Sequence, residues 1–206
     1  MQQDVVEAGS VDKLSEAFEH SITWEDDIWR ADPVDVPAVH AKARRKFSDL
    51  LSEITTGRLG AAGQSRILLF HGQSGAGKTH LGFAVCAHFL SRGRGVVYRS
   101  YQQLMNEMKS ALNTEGYEEL LRDYGRADVL YIDDFMKYPP SAADIRHSFE
   151  LINRRVMTDG VTVITSEQPL DTVIGYDEAL GGRIRQQCGE FAFYVAPGPG
   201  RNWRLK

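Results

Sequence analysis

Apolar residues follow two alternating patterns along the chain from residue 66 onward. Short, nearly unbroken apolar runs are typical of strands buried on both faces, and apolar residues recurring every three or four positions are typical of amphipathic helices. Their alternation predicts an α/β domain with a mostly parallel sheet. The predicted strands cover residues 66–71, 96–101, 128–134, 161–166 and 191–195.

The predicted helices lie between these strands and cover residues 78–91, 102–112, 117–124, 141–159 and 177–188. A breaker at residues 113–116 separates the second helix from the third. Ser141 and Asp144 form a capping-box-like start to the fourth helix, with aspartate in place of the usual glutamate. One apolar stripe of the second helix is expected to lie in the core, and it comprises Leu104, Met105, Met108 and Leu112.

The first 60 residues differ from the rest, and we treat them as an acidic, mostly helical arm and a candidate partner-binding region before a domain at 61–206. Within this arm a helix is predicted at residues 37–56, with proline in its first turn. Trp24 and Trp29 could anchor a partner or pack against the chain's own core, and the sequence leaves both open. A first short amphipathic helix is predicted from the spacing of Val11, Leu14, Phe18 and Ile22.

Charge is divided unevenly along the chain. Residues 1–36 carry ten acidic and two basic side chains, a net of -8, so the remaining residues carry +4 of the total of -4. A mildly basic body is compatible with nucleic-acid contact but does not require it. The sequence has no long apolar run and no secretion-signal layout at its start, so we expect a cytoplasmic protein without a membrane partner. Cys86 and Cys188 lack metal-ligand spacing and are expected to be reduced and buried.

A glycine-rich turn joins the first predicted strand to the first predicted helix, and it matches the G-x-x-x-x-G-K-[ST] pattern of the P-loop. Glycines let successive N–H groups turn toward an anion, the lysine charge suits the β- and γ-phosphates, and the threonine hydroxyl suits Mg²⁺. A simple turn with a solvated lysine is the alternative, but the position between strand and helix favours binding of ATP with Mg²⁺. The expected nucleotide-binding residues are Gly72, Gln73, Ser74, Gly75, Ala76, Gly77, Lys78, Thr79 and His80, with Thr79 also a metal ligand.

Two adjacent carboxylates end the predicted strand at residues 128–134. In P-loop ATPases an aspartate at the end of a neighbouring strand holds Mg²⁺ through water, and an acidic neighbour polarises the attacking water. We therefore assign Asp133 to the metal and Asp134 to catalysis, alongside Lys78. An ordinary strand-end pair is the alternative. Many such ATPases carry glutamate as the second of the two carboxylates. Asp134 is one methylene shorter, so hydrolysis is expected to be slow or to depend on assembly.

Other polar residues are open to two interpretations. Thr165 and Ser166 would face the γ-phosphate if their strand lies beside the P-loop strand, and otherwise they begin a turn. Arg183 and Arg185 have the chemistry of an arginine finger, although spacing alone favours a solvated face. The loop at residues 135–140 combines aromatic residues with a lysine, which suits single-stranded nucleic acid but also an ordinary loop.

From about residue 67 to its end, the chain resembles the DnaC/IstB-type AAA+ ATPases, in particular the short DnaC-like helicase loaders of bacteria and their phages. The resemblance rests on the segments GQSGAGKTH, YQQLMNEM, VLYIDDF, ADIRHSFELINRR, VITSEQPLD, DEALGGRIRQQC and NWRL. It implies a P-loop NTPase fold of AAA+ type, with a parallel sheet of about five strands flanked by helices. Residues 61–206 would then form the ATPase domain.

The resemblance also implies roles for single residues. Arg183 would be the catalytic arginine finger, Ser166 with Thr165 the first sensor of nucleotide, and Arg204 the second sensor. The family works as oligomers that sense ATP between subunits and load a replicative helicase onto single-stranded DNA. Its DNA contacts fall near the second and third predicted helices, where Lys109 is a candidate phosphate ligand.

Three other functions stay open at this point. The chain could be an IstB-like ATPase that assists a transposase, a nucleotide-gated adaptor with little turnover, or a small-molecule kinase. A kinase would need an acceptor pocket and an arginine-rich lid, and the sensor arrangement suits an ATPase better. Neighbouring genes for a helicase or primase would favour the loader, and a transposase gene would favour the IstB-like function.

Overall fold

The computed structural model describes residues 66–195, apart from Ser91, Asn113 and Asp159, together with Asn202. Its strands are β1 (Ile67–Gly72), β2 (Val96–Ser100), β3 (Val129–Asp133), β4 (Val161–Ser166) and β5 (Ala192–Val195). All pair in parallel, in the order β2-β3-β4-β1-β5. The α/β fold with a five-stranded parallel sheet is therefore confirmed. The arm predicted at residues 1–60 and the predicted sensor Arg204 lie outside the described residues.

Six helices of the described residues flank this sheet. They are α1 (Lys78–Leu90), α2 (Tyr101–Ala111), α3 (Glu115–Arg126), α4 (Ala142–Val156), α5 (Leu170–Tyr176) and α6 (Glu178–Cys188). The capping box predicted from Ser141 and Asp144 is present at the start of α4, and Ser100 with Gln103 forms another at the start of α2. Across the described part of the chain, no helix combines the length and apolarity of a membrane span.

The sheet has a hydrophobic core on each of its faces. Leu68 and Phe70 of β1 pack with residues of α1, whereas Ile67 and Leu69 belong to the cluster formed with α2, α3, α4 and α6. Because successive strand residues point to opposite faces, a strand covered on both sides needs an almost continuous apolar run. Both cysteines are buried and free, as expected.

Two local predictions are wrong, and one helix was missed. Tyr101 begins α2 instead of ending β2, because the Ser100 hydroxyl caps the helix there. The predicted breaker at residues 113–116 extends too far, since Thr114 is the N-cap of α3 and Gly116 lies within that helix. The short helix α5, which follows Pro169, was not predicted.

A buried arginine joins several elements at the amino-terminal edge of the sheet. Arg155, at the end of α4, is 1% exposed. Burial lowers its pKa to about 10, so the guanidinium stays protonated at neutral pH. A side chain at Gly160 would collide with it, because a Cβ there would lie 2.4 Å from Nη2. Its donors reach the Thr162 hydroxyl and the carbonyl oxygens of Tyr124, Gly125, Ala127 and Val161.

Candidate functional site

The predicted P-loop is the turn between β1 and α1, at the carboxyl edge of the sheet. Gly72, Gly75 and Gly77 have φ values of 120°, 70° and 84°, which residues with a Cβ rarely adopt. The turn leads directly into the N-terminus of α1, whose first turn contains no acidic residue and includes His80. Exposed N–H groups and the positive end of a helix favour an anion at this position. The loop therefore has the features required of a phosphate-binding site.

Lys78 lies inside this loop. The residue is only 5% exposed, and its Nζ donates to the carbonyl oxygens of Gly72 at 2.9 Å and Gln73 at 2.7 Å. A buried ammonium needs acceptors, and phosphate oxygens are stronger partners than carbonyl oxygens because they are charged. The lysine is therefore held where phosphates approaching the loop would meet its charge.

Asn202, in the C-terminal segment, lies against the middle of the P-loop. A Cβ placed on Gly75 would be 2.0 Å from Asn202 Oδ1 and 2.6 Å from its Cγ. The φ of 70° favours glycine at position 75, and a side chain there would also displace the Asn202 side chain. Asn202 was not among the predicted site residues, although it begins the NWRL motif.

The carboxylate of Asp133 lies beside the hydroxyl of Thr79. Thr79 Oγ1 donates to Asp133 Oδ1 at 3.2 Å, which brings together the two predicted metal ligands from α1 and β3. Hydroxyl and carboxylate oxygens are the hard ligands that Mg²⁺ prefers, so this pair fits the ion. Among the described residues there is no group of three or more His, Cys, Asp or Glu that could hold a metal.

Three more hydroxyl groups donate to Asp133. Oδ1 accepts from Tyr131 at 2.9 Å and from Thr165, while Oδ2 accepts from Tyr98 at 3.4 Å. Burial raises the pKa of Tyr98 to about 12 and also raises that of Tyr131, so both hydroxyls are protonated donors at neutral pH. Neither tyrosine was among the predicted site residues. The position of Tyr131 could have indicated its contact with Asp133, because the two residues are two apart on a predicted strand and so project to the same face.

The two residues predicted as the first sensor point in different directions. Thr165 is fully buried, and its hydroxyl also accepts from the backbone N–H of Asp134 at 3.1 Å, so it touches both neighbouring aspartates. The Ser166 hydroxyl instead donates to the carbonyl oxygen of Phe135 at 2.8 Å and accepts from the N–H of Gln168 at 3.0 Å. β4 does lie beside β1, as the γ-phosphate interpretation requires. Within it, Thr165 reaches the metal-side carboxylate and Ser166 fixes the following loop.

Asp134 stands in a strained turn just beyond β3. Its φ is 55° and that of Met136 is 48°, both uncommon for residues with a Cβ. The Asp134 carboxylate is paired with Lys137, whose Nζ lies 3.0 Å from Oδ2 and 3.6 Å from an oxygen of Glu167. This pairing raises the pKa of Lys137. The predicted water-polarising carboxylate is therefore partly neutralised in this structure, a contact that sequence reasoning missed.

The loop after Asp134 is partly core and partly surface. Phe135 and Met136 are 2% and 0% exposed, so neither can stack on a nucleic-acid base. Tyr138, in contrast, is 70% exposed. It borders a cleft of about 280 Å³ that is also lined by Tyr101, Gln102, Asp134, Lys137 and Asp144.

The remaining predicted cations have partners away from the P-loop. The guanidinium carbon of Arg183 lies 5.9 Å from the centre of the Phe149 ring, on the outer helical layer of α4 and α6. Arg185 pairs with Asp171. Lys109 Nζ lies 2.6 Å from Asp144 Oδ1, so its charge is already paired within the protein.

A phosphate-binding loop at the carboxyl edge of a parallel sheet, with an aspartate from a nearby strand against its threonine, is the arrangement of a P-loop NTPase. The family model for IstB-like ATP binding proteins matches residues 55–183. The chain belongs to this family.

The chain is similar in sequence to one curated relative and in fold to two solved structures. The uncharacterized protein YqaM of Bacillus subtilis (strain 168) is 32% identical over 130 residues, which cover 60% of this chain and 41% of YqaM. AMPPCP-bound DnaA from Aquifex aeolicus has a TM-score of 0.60 at 20% identity, covering 85% of this chain and 50% of DnaA. The DnaC helicase loader has a TM-score of 0.59 at 18% identity, covering 84% of this chain and 95% of DnaC. The two structures share the fold, and the chain spans less than half of YqaM.

Proposed function

We propose that the protein is a DnaC-like helicase loader, an ATPase that helps to place a replicative helicase on single-stranded DNA. The observation that carries the ATPase part is the pairing of Thr79 with Asp133 beside the buried Lys78. The loader part is supported by the fold shared with the DnaC helicase loader, which covers 84% of this chain.

The residues of the site have separate tasks in ATP binding. The N–H groups between Gly72 and Thr79 surround the phosphates, and Lys78 exchanges its carbonyl partners for phosphate oxygens. Thr79 and Asp133 would hold Mg²⁺, which would supply positive charge to offset the charge that develops on the phosphates. Asp134 would then orient and polarise the attacking water.

Turnover is expected to be low for the isolated chain. Lys137 Nζ donates to Asp134 Oδ2 at 3.0 Å, so this oxygen is already occupied and less available to an attacking water. The side chains are 31% and 41% exposed, so the pair is weak enough to break when an assembly rearranges the loop. This supports a switch that retains ATP until a partner engages.

Arg183 is the proposed residue for sensing ATP in a neighbouring copy. Its contact with Phe149 orients the guanidinium on the α4–α6 layer, and acting in trans requires a position outside the chain's own P-loop. Arg183→Ala should leave nucleotide affinity of the monomer unchanged and remove assembly-stimulated turnover. Arg185→Ala, on the same helix and paired with Asp171, is the matched control and should keep that stimulation.

The exposed Tyr138 is the candidate contact for single-stranded DNA. The ammonium groups of Lys109 and Lys137 are both paired with carboxylates, so neither is available to a phosphate without breaking its pair. Tyr138 is exposed and can stack on a base. Tyr138→Ala should therefore weaken any DNA binding more than Lys109→Ala does.

The test of the proposed function is co-purification with the host's replicative helicase, followed by turnover measurements with helicase and single-stranded DNA. A loader should bind the helicase in an ATP-dependent manner and hydrolyse ATP faster in the complex. The family match to IstB-like ATP binding proteins favours one other client, a transposase. Binding to a transposase but not to a helicase would replace the loader function and leave the ATPase intact.

A further inference from the structure

Two tyrosines are placed by strand geometry on the same side of the sheet as Asp133. Tyr131 precedes Asp133 by two residues in β3, and residues two apart in a strand project to the same face. Tyr98 is the register partner of Tyr131 on the neighbouring strand β2. Both rings therefore lie on the face covered by α1, which also carries Thr79.

Packing against α1 fixes the position of both rings. Phe83 of α1 lies edge-on to Tyr131 at 5.4 Å between ring centroids and 5.2 Å from Tyr98, and the two tyrosines lie 5.2 Å apart. Gly82 leaves room for Tyr131, since a Cβ there would lie 2.4 Å from the tyrosine Cζ and hydroxyl oxygen. With 0% exposure, Tyr131 cannot turn its hydroxyl to bulk water.

The two carboxylate oxygens of Asp133 accept different numbers of hydrogen bonds from these hydroxyls. Oδ1 accepts from Thr79, Tyr131 and Thr165, which is more donors than its two lone pairs accept well. The hydrogen bond from Thr79 is longer, at 3.2 Å, than the one from Tyr131, at 2.9 Å. Thr79 can therefore leave for another partner while Tyr131 and Thr165 still hold the carboxylate.

We propose that Tyr131, assisted by Tyr98, is a positioning residue that holds the Asp133 carboxylate in place for Mg²⁺ when Thr79 turns its oxygen toward the ion. Tyr131 fixes Oδ1, and Tyr98, at 3.4 Å, leaves Oδ2 as the less occupied oxygen for a metal-bound water. Hydrogen bonds of this kind set the orientation of a metal-side carboxylate. The inference rests on the proposed nucleotide site and concerns only its metal dependence.

The test is a Mg²⁺ titration of the binding of a fluorescent ATP analogue, measured at equilibrium without turnover. Tyr131→Phe should raise the Mg²⁺ concentration needed for half-maximal tightening by about tenfold. Affinity without Mg²⁺ should stay within about twofold, because the P-loop and Lys78 are unchanged. Tyr98→Phe should shift the Mg²⁺ dependence in the same direction by a smaller factor, and it tests the proposal if Tyr131→Phe does not fold.

The matched control is Tyr124→Phe, which removes the hydroxyl of a buried tyrosine whose partners are Glu107 and Arg99. It should leave the Mg²⁺ dependence unchanged. Wild-type Mg²⁺ dependence in both Tyr131→Phe and Tyr98→Phe would overturn the proposal, as would an equal loss of affinity with and without Mg²⁺. Absence of ATP binding by the wild-type protein would instead contradict the proposed function itself.

Discussion

In the part of the chain that the structure describes, Arg155 and Lys78 are buried cations at opposite edges of the same sheet, and both donate to backbone carbonyl oxygens. Arg155 lies at the amino-terminal edge, and its acceptors belong to the end of α3, the segment that follows it, and β4. Lys78 lies at the carboxyl-terminal edge, and the carbonyls of Gly72 and Gln73 come from its own loop.

The difference separates a structural cation from a binding cation. Arg155 joins segments that are 28 and 31 residues distant from it in sequence, so its hydrogen bonds hold the tertiary structure together. The carbonyls of Gln73 and Gly72 lie five and six residues before Lys78, and the loop can lose these bonds without separating two elements of the core. A buried charge can therefore serve either purpose, and the location of its partners shows which.

Removal of Arg155 should give the largest effect. Arg155→Met leaves several buried carbonyl oxygens without donors and should lower the free energy of unfolding by at least about 3 kcal/mol. Urea denaturation measures this change. Arg154→Met is the matched control, because its ion pair with Glu118 is exposed, and it should cost less than about 1 kcal/mol. Equal stability of the two variants would contradict a structural role for Arg155.

Removal of Lys78 should weaken ATP binding strongly and change the free energy of unfolding little. Lys78→Ala should weaken ATP binding at least about 100-fold, because charge-assisted bonds to the phosphates are lost. Its free energy of unfolding should stay within about 1 kcal/mol of wild type, since a desolvated charge is removed together with its bonds. Calorimetry and urea denaturation report the two quantities. Lys109→Ala serves as the control for affinity, and unchanged affinity in Lys78→Ala would remove the phosphate-binding interpretation.

Asp133→Asn tests the neighbouring carboxylate without removing its acceptor oxygen. The asparagine keeps one oxygen for the donors at Oδ1, so the fold should persist, while Mg²⁺-dependent turnover should fall at least about tenfold. Asp128→Asn changes the same residue type at the other end of β3, where the side chain accepts from the N–H of Gly95. That control should turn over ATP normally. Normal turnover in Asp133→Asn would refute its metal-side role.

The smallest effect is expected at the exposed edge of the site. Lys137→Met frees the Asp134 carboxylate and should raise basal turnover about twofold to fivefold, the range set by a partly exposed ion pair. ATP affinity should not change. Lys137→Arg keeps the pair and should behave like wild type. A fall in turnover in Lys137→Met would show that Lys137 assists the reaction instead of restraining it.

The sequence predicted the sheet, the P-loop and the aspartate pair because each depends on local patterns. Strands covered on both faces need apolar runs, and the turn from β1 into α1 needs glycine at fixed positions. Strand order and the neighbourhood of Asp133 depend on contacts between distant segments. Thr79, Tyr98 and Thr165 are 54, 35 and 32 residues from Asp133 in sequence.

For two other segments the pattern of apolar residues did not settle the local conformation or burial. Gly116 was interpreted as a breaker, yet the helix α3 includes it one residue after its start. The aromatic loop after Asp134 was open to two interpretations, a nucleic-acid contact or an ordinary loop. In the structure Phe135 packs against Tyr101 at 4.9 Å, which leaves only Tyr138 of the loop's aromatic residues exposed. Periodicity does not distinguish these residues, since burial depends on which element lies above them.

The most direct test is a crystal structure of the protein with a non-hydrolysable ATP analogue and Mn²⁺, whose anomalous signal locates the metal. The account predicts phosphates within the Gly72–Thr79 turn, Lys78 Nζ on phosphate oxygens, and the metal next to Thr79 Oγ1 and Asp133. A triphosphate bound elsewhere, or Lys78 still donating to Gly72 and Gln73 with ligand present, would contradict it.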